Sequence, residues 1–247
     1  MTNERLAVSA ADLEDLDVPA LEAFIARRVP ALLATMSRDD AGIRLGLLAK
    51  VAPRTVPTLA GLYLFGRVPQ VFFPEWGVTC ISSAGTALLD RIDERADLDG
   101  GLGALVEGAL AFLRARVADA AEASEFPLDV AREAIVNALC HRDLRKPSRI
   151  AVRVFRDRLE IVSPGGPPEG LSDLEELGRE GGTSHPRNPI VASVGRALGY
   201  GEQLGRGLAL ITQRGGASVA ERAEVRATPR EVTVVLPARW QRPPNSH

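Results

Sequence analysis

Glu133, Asn137 and His141 stand four residues apart in the segment LDVAREAIVNALCHR. In a helix that spacing puts all three on one face. Leu128, Ala131, Ile135, Ala138 and Leu139 lie around the other side. An asparagine side-chain oxygen can ligate Mg²⁺, a hard cation that takes oxygen ligands. A glutamate one turn earlier can orient or deprotonate a water. The same stripe would also suit a half-exposed helix with ordinary polar positions. Cys140 and His141 are helix neighbours pointing about 100° apart, so they form no catalytic pair.

Two glycine clusters follow. Gly165-Gly166 comes directly after a strand-like run, RLEIVSP. A glycine pair there lets backbone approach a ligand, or simply turns the chain. Gly205-Arg206-Gly207-Leu208 opens a helical segment. The first N–H groups of a helix have no intrahelical partner, and with the helix dipole they favour an anion such as phosphate.

A third cluster is cationic: Arg142, Arg145, Lys146, Arg149, Arg153, Arg156 and Arg158. It reads either as a solvated turn and strand face or as a phosphate-facing or DNA-facing patch. Lys50 and Lys146 are the only lysines among 30 basic residues. A cation that clamps phosphate in this chain is therefore expected to be arginine, which suits bidentate contact.

The remaining composition is that of a globular protein. The 247 residues are 45% hydrophobic and 25% charged, with net charge −2. That balance argues against a strongly basic nucleic-acid binder. No apolar run approaches the roughly 18 residues of a membrane span. The acidic N-terminus, MTNERLAVSAADLEDLD, does not read as a signal peptide. Two cysteines, Cys80 and Cys140, make no disulfide framework and no metal-ligand pattern. A reducing cytoplasm is the expected compartment.

Several elements must position these residues. Helical periodicity predicts helices over Val18–Arg28, Thr58–Phe65 and Leu102–Val117. Residues 30–36 and 42–49 are left open between helix and strand. Gly77–Ser82 and Ala87–Ile92 read as strands. The small, polar stretch ADAAEASEFP is the expected domain boundary. A helix from Phe126-Pro127 onward follows, and proline suits a first turn. Residues 149–155 and 158–162 alternate as paired strands around Arg156-Asp157. Ser163-Pro164-Gly165-Gly166-Pro167-Pro168 reads as a rigid turn cluster. Residues 171–204 form an excursion with short helical pieces, including NPIVASVGRALGY. Gly205–Arg214 reads as helix, and 216–225 and 231–236 as closing strands. Such an order predicts an α+β sandwich with helices on one face of a mixed, largely antiparallel sheet. The boundaries are a smaller α+β connecting or dimerisation region over 1–120, the sandwich over 121–240 and a disordered tail over 241–247.

In order and spacing these elements resemble a known superfamily. AREAIVNALCHRD is similar to the N-box helix of GHKL (Bergerat) ATPases, the class of gyrases and sensor histidine kinases. SPGG falls at their first glycine box, LGRGLALITQRGG at their second, and EVTVVLPARW at their closing strand. A longer resemblance, from about Leu13 to Arg239, is to bacterial and archaeal proteins labelled transcriptional regulators or "ATP-dependent DNA helicase RecG-related". Those usually add a Schlafen-AlbA-type domain and a winged helix, neither of which is recognisable here. No G-x-x-x-x-G-K-[ST] loop is present, so no P-loop helicase motor is encoded.

The resemblance implies a nucleotide site. Glu133 would be the water-orienting base and Asn137 the Mg²⁺ ligand. Ser163, Gly165 and Gly166 would border the adenine pocket. Gly205, Gly207, Leu208 and the N–H groups after them would hold phosphate, with Arg187 and Arg206 contacting it from the lid. Two departures stand out. Ser163 or Pro164 occupies the position of an aspartate that accepts from the adenine amino group, and a neutral acceptor is weaker than a charged one. Arg206 also enters a box that is otherwise richer in glycine. The expected function is an ATP- and Mg-binding GHKL-like regulator, with weak Mg-dependent ATPase activity or none. One alternative is a degenerate scaffold that binds no nucleotide and serves protein interaction or dimerisation. A further alternative is DNA binding. Expected partners are nucleotide, a second copy of the chain and a protein; DNA has only the arginine cluster behind it, and no membrane is expected.

Overall fold

The computed structural model describes residues 3–118, 128–167, 186–200 and 223–237. The first part is mainly helical: α1 (Val18–Arg28), α2 (Pro30–Leu33), α3 (Arg38–Arg44), the hairpin β1 (Leu48–Val51) and β2 (Arg54–Pro57), and α4 (Leu59–Phe65). Then come β3 (Val78–Ser83), β4 (Ile92–Leu98) and the long α5 (Leu102–Ala118). The second part holds α6 (Leu128–His141), β5 (Ile150–Val154), β6 (Arg158–Pro164), α7 (Pro189–Ala197), β7 (Glu224–Ala227) and β8 (Glu231–Pro237).

Six strands form one sheet in the order β4-β3-β5-β6-β8-β7. Only the β3–β5 pair is parallel; the rest are antiparallel. This is the mixed, largely antiparallel α+β sheet that the element order predicts. Strands from both sides of residue 120 share it, and so does the core, which runs from Val8 to Leu236. Among the described residues, no helix is long and apolar enough to cross a membrane.

The sheet's burial follows its pleat. Ile150, Val152 and Val154 of β5 are buried, while Ala151 and Arg153 are half-buried. β5 therefore has one core face, as the alternation in RIAVRVF requires. β6 lies deeper in the sheet, and residues from Leu159 to Pro164 are all buried. On its less apolar face Glu160 sits directly across from Arg153 and also accepts from Arg158 at 2.8 Å. Such a cross-strand opposite-charge pair supports the register.

α6 packs against β5 and β6 on one side and against α5 and α7 on the others. Its buried residues are Val130, Ala131, Glu133, Ala134, Ile135, Val136, Ala138, Leu139 and Cys140. Within the polar stripe Asn137 and His141 are half-buried, as a partly exposed helix allows, and only Glu133 is buried. Glu133 is 5% exposed.

Two expectations are corrected and one open reading is resolved. Ala87–Ile92 is not a strand. The Asp90 carboxylate accepts from the Ala87 N–H at 2.8 Å and closes a turn, leaving Leu88 and Leu89 exposed. The strand is Ile92–Leu98, whose charged IDERADL pattern suits a sheet edge. Ser163 and Pro164 continue β6, paired with Val232 and Glu231, so the turn starts only at Gly165. The open segments resolve as α2, α3 and β1.

Candidate functional site

Ser163, Gly165, Gly166 and Arg187, four of the predicted residues, come together at the C-terminal end of α6. The last carbonyls of a helix lack intrahelical donors and need partners from elsewhere. Here side chains from three other segments supply them, and Trp76 serves the chain just beyond. The Ser163 hydroxyl at the end of β6 donates to the Ala138 carbonyl at 3.0 Å. The Tyr63 hydroxyl of α4 donates to Leu139 at 3.0 Å. The Asn188 amide, just before α7, donates to the Cys140 and Arg142 carbonyls at 3.1 and 2.9 Å. The Trp76 indole N–H donates to the Leu144 carbonyl at 3.0 Å.

Asp143 closes this end. Its backbone N–H donates to the Pro164 carbonyl at 2.8 Å. Its buried carboxylate accepts from the Arg145 backbone N–H and guanidinium at 2.9–3.1 Å. Arg187 adds a bond to Oδ2 at 3.3 Å and donates its other terminal nitrogen to the Gly166 carbonyl. The Arg145 guanidinium, against the opposing pull of burial, holds the Asp143 carboxyl below its usual range. Gly165 has φ +99°, and a Cβ there would lie 2.6 Å from the Asp143 Cβ. A Cβ at Gly166 would lie 2.6 Å from the Thr228 carbonyl. Both glycines are needed for chain packing before any ligand is considered.

An open cleft of about 490 Å³ adjoins these groups, within the size range of small-molecule sites. Gly166 and Pro167, Asp143 and Lys146, Arg187, and the Ala227–Pro229 turn line it. Of the predicted residues, Gly166 and Arg187 reach the cleft, and Ser163 and Gly165 stand in the frame behind it. Glu133 and Asn137 lie one to three turns earlier on α6 and are not among its lining residues. Gly205, Arg206, Gly207 and Leu208 lie outside the described residues.

The electrostatics of α6 extend the picture. Burial first, then Glu133, pushes the Cys140 thiol up to about 12, so it stays protonated. Burial first, then Arg187 and Arg196, lowers His141 to about 4. His141 is therefore neutral at physiological pH.

The arginine cluster is largely consumed within the chain. Arg142 is fully buried and donates to the Glu75 and Ser148 carbonyls at 2.8 and 3.0 Å. Arg149 bonds the Pro74 and Leu98 carbonyls and Asp99. Arg153 and Arg158 pair with Glu160, and Arg158 lies over the Phe155 ring. Arg142 and Arg149 thus tie Pro74 and Glu75 to the segment after α6, while Arg153 and Arg158 are held within the sheet.

Sequence reasoning missed Asp143, Asn188 and the lining role of Lys146. Asp143 directly follows the N-box-like helix in CHRD, the one local signal available. Its partner Arg187 is 44 positions away, which no local pattern reveals.

Part of the chain carries a divergent HATPase-type domain, as one family model indicates. Residues 148–236 match the family model described as "Putative ATP-dependent DNA helicase recG C-terminal". Among solved structures, the chain is similar to the DIP2311 protein of Corynebacterium diphtheriae, with TM-score 0.66 and 22% identity over 97% of this chain. That likeness shows the fold, and the chain spans 40% of that protein's length. No curated protein matches the chain.

Proposed function

We propose that the chain is a nucleotide-binding regulatory protein that takes Mg-ATP and hydrolyses it weakly or not at all. The observation that carries this reading is the cleft at the glycine pair of a HATPase-type domain, lined by Lys146 and Arg187. Two cations beside backbone glycines suit an anionic ligand of nucleotide size. Asn137 would be the protein ligand to Mg²⁺, with phosphate oxygens and water supplying the rest, as Mg²⁺ often requires. Glu133 would orient water. Asn137 lies four residues before the end of α6 at His141, about 6 Å of helix axis, a separation that one extended nucleotide can span.

Thermal unfolding tests this. Millimolar Mg-ATP should raise the Tm of the parent protein, and Asn137→Ala should remove the shift. Absence of any shift in the parent counts against nucleotide binding.

A second reading, a scaffold for protein interaction or dimerisation, has its own support. The Ser163 hydroxyl and two Arg187 nitrogens are already bonded inside the chain. Light scattering with and without nucleotide separates a constitutive dimer from a nucleotide-driven one. DNA binding would appear as a steeply salt-dependent gel shift; its local basis, the arginine cluster, is mostly paired internally.

A further inference from the structure

The first turn of α7 is capped by a residue from the opposite end of the chain. The Glu4 carboxylate accepts from the Ile190 N–H at 2.9 and 3.1 Å and from the Val191 N–H at 3.2 Å. Glu4 is 2% exposed. Burying a carboxylate is costly unless it is hydrogen-bonded, and helix N-terminal N–H groups with their dipole are suitable donors. The ordinary solution would be local, with Asn188 capping its own helix. Asn188 sits at the cap position but makes no such bond; its side-chain NH2 instead donates to the Cys140 and Arg142 carbonyls, which turns the side chain toward α6. One short segment thus faces two ways. Arg187 and Asn188 grip the end of α6 and Gly166, while the turn that follows is held by Glu4.

The segment bearing Glu4 is itself anchored. The Leu59 N–H donates to the Leu6 carbonyl, and the Val8 N–H to the Pro57 carbonyl, both at 2.9 Å. Side chains of Arg5 and Ile190 meet over Gly46, whose φ of +76° and lack of a Cβ leave room for them. Pro189 fixes φ at the first helical position, so the turn has little freedom to yield.

We propose that Glu4 is a positioning residue for the candidate site: through α7 it fixes Arg187 and Asn188 on the end of α6. Displacing the N-terminal arm loosens the frame around Asp143 and Gly166. The effect on ligand binding rests on the nucleotide reading above; the mechanical link does not.

Hydrogen exchange on Glu4→Ala and Glu4→Gln proteins, without nucleotide, tests the link. The expected result for Glu4→Ala is faster exchange at Ile190 and Val191 and also at Asp143 and Gly165, with other regions unchanged. Glu4→Gln, which keeps one acceptor oxygen, should show a smaller change of the same pattern. Faster exchange confined to Ile190 and Val191 would make Glu4 a simple cap and overturn the proposal. A second measurement uses Mg-ATP titration. Coupling between sites is reciprocal, so Glu4→Ala should weaken apparent affinity about 5-fold or more, and Mg-ATP should slow exchange at Val8 in the parent. Normal affinity in Glu4→Ala overturns the proposal. If the parent binds no nucleotide, the nucleotide reading fails, and the exchange pattern at Asp143 and Gly165 still decides the link.

Discussion

Arg187 and Asp143 lie 44 positions apart in sequence, yet one guanidinium joins the Asp143 carboxylate just beyond α6 to the Gly166 carbonyl just beyond β6. Their pairing places an arginine at the cleft mouth while using two of its nitrogens inside the chain. Asp143, held mainly by Arg145, has its folded pKa below the ordinary value of about 3.9. Its stabilisation is therefore present above about pH 4 and is lost as pH falls through the lower folded value. Asp143→Asn should cost about 1–3 kcal/mol at pH 7. It should also flatten the loss of stability below pH 4. Urea denaturation at pH 7 and pH 3 measures both, and an unchanged pH 7 midpoint would show that the carboxylate is dispensable.

Gly165 has a left-handed backbone and no space for a side chain against Asp143. Gly165→Ala should destabilise by about 1–3 kcal/mol. Its exchange effect should centre on Asp143, whose N–H bonds the neighbouring Pro164 carbonyl. Denaturant unfolding and exchange on the same sample test this. A destabilisation that leaves Asp143 protected would place the strain elsewhere.

Burial moves the titration of His141 below that of an exposed histidine. Its folded pKa of about 4 lies under the ordinary value near 6.5, so the unfolded chain takes up the proton first as pH falls. Stability should be full above about pH 6.5 and decline toward pH 4. His141→Gln should show a shallower decline over that window. NMR of the imidazole supplies the direct check: a ring already protonated at pH 5 would contradict the burial that lowers it.

Arg142 offers a contrast between structure and surface charge. Its guanidinium satisfies carbonyls at Glu75 and Ser148, with a longer contact to Lys146. Arg142→Met leaves them without that donor, at about 1–3 kcal/mol for each carbonyl that stays buried. Arg142→Lys keeps the charge but lacks the planar fork, so it should recover only part of the loss. Arg156→Ala, by comparison, should fall within about 0.5 kcal/mol of the parent. Equal effects for positions 142 and 156 would show that the cluster is a uniform surface patch after all.

The sequence by itself determined most elements of this protein. α1, α4, α5, α6, β3, β5, β6 and β8 follow from apolar periodicity, because a 3.6 or 2.0 repeat reports which face meets the core. The glycine pair after β6 and the helix bearing Glu133 and Asn137 were legible for the same local reason. Tertiary structure decided the rest. β4 escaped notice because an edge strand carries charges where a pattern reader seeks alternating apolar residues. Leu88 and Leu89 misled because they are apolar but turn outward. The arginine cluster read as a patch because sequence shows charge density and not partners, which here are carbonyls and carboxylates of distant segments. Asp143 with Arg187, Asn188 with the end of α6, and Glu4 with the start of α7 are all long-range pairs. Each unites groups left unsatisfied at the ends of separate elements, and only the packed fold brings those ends together.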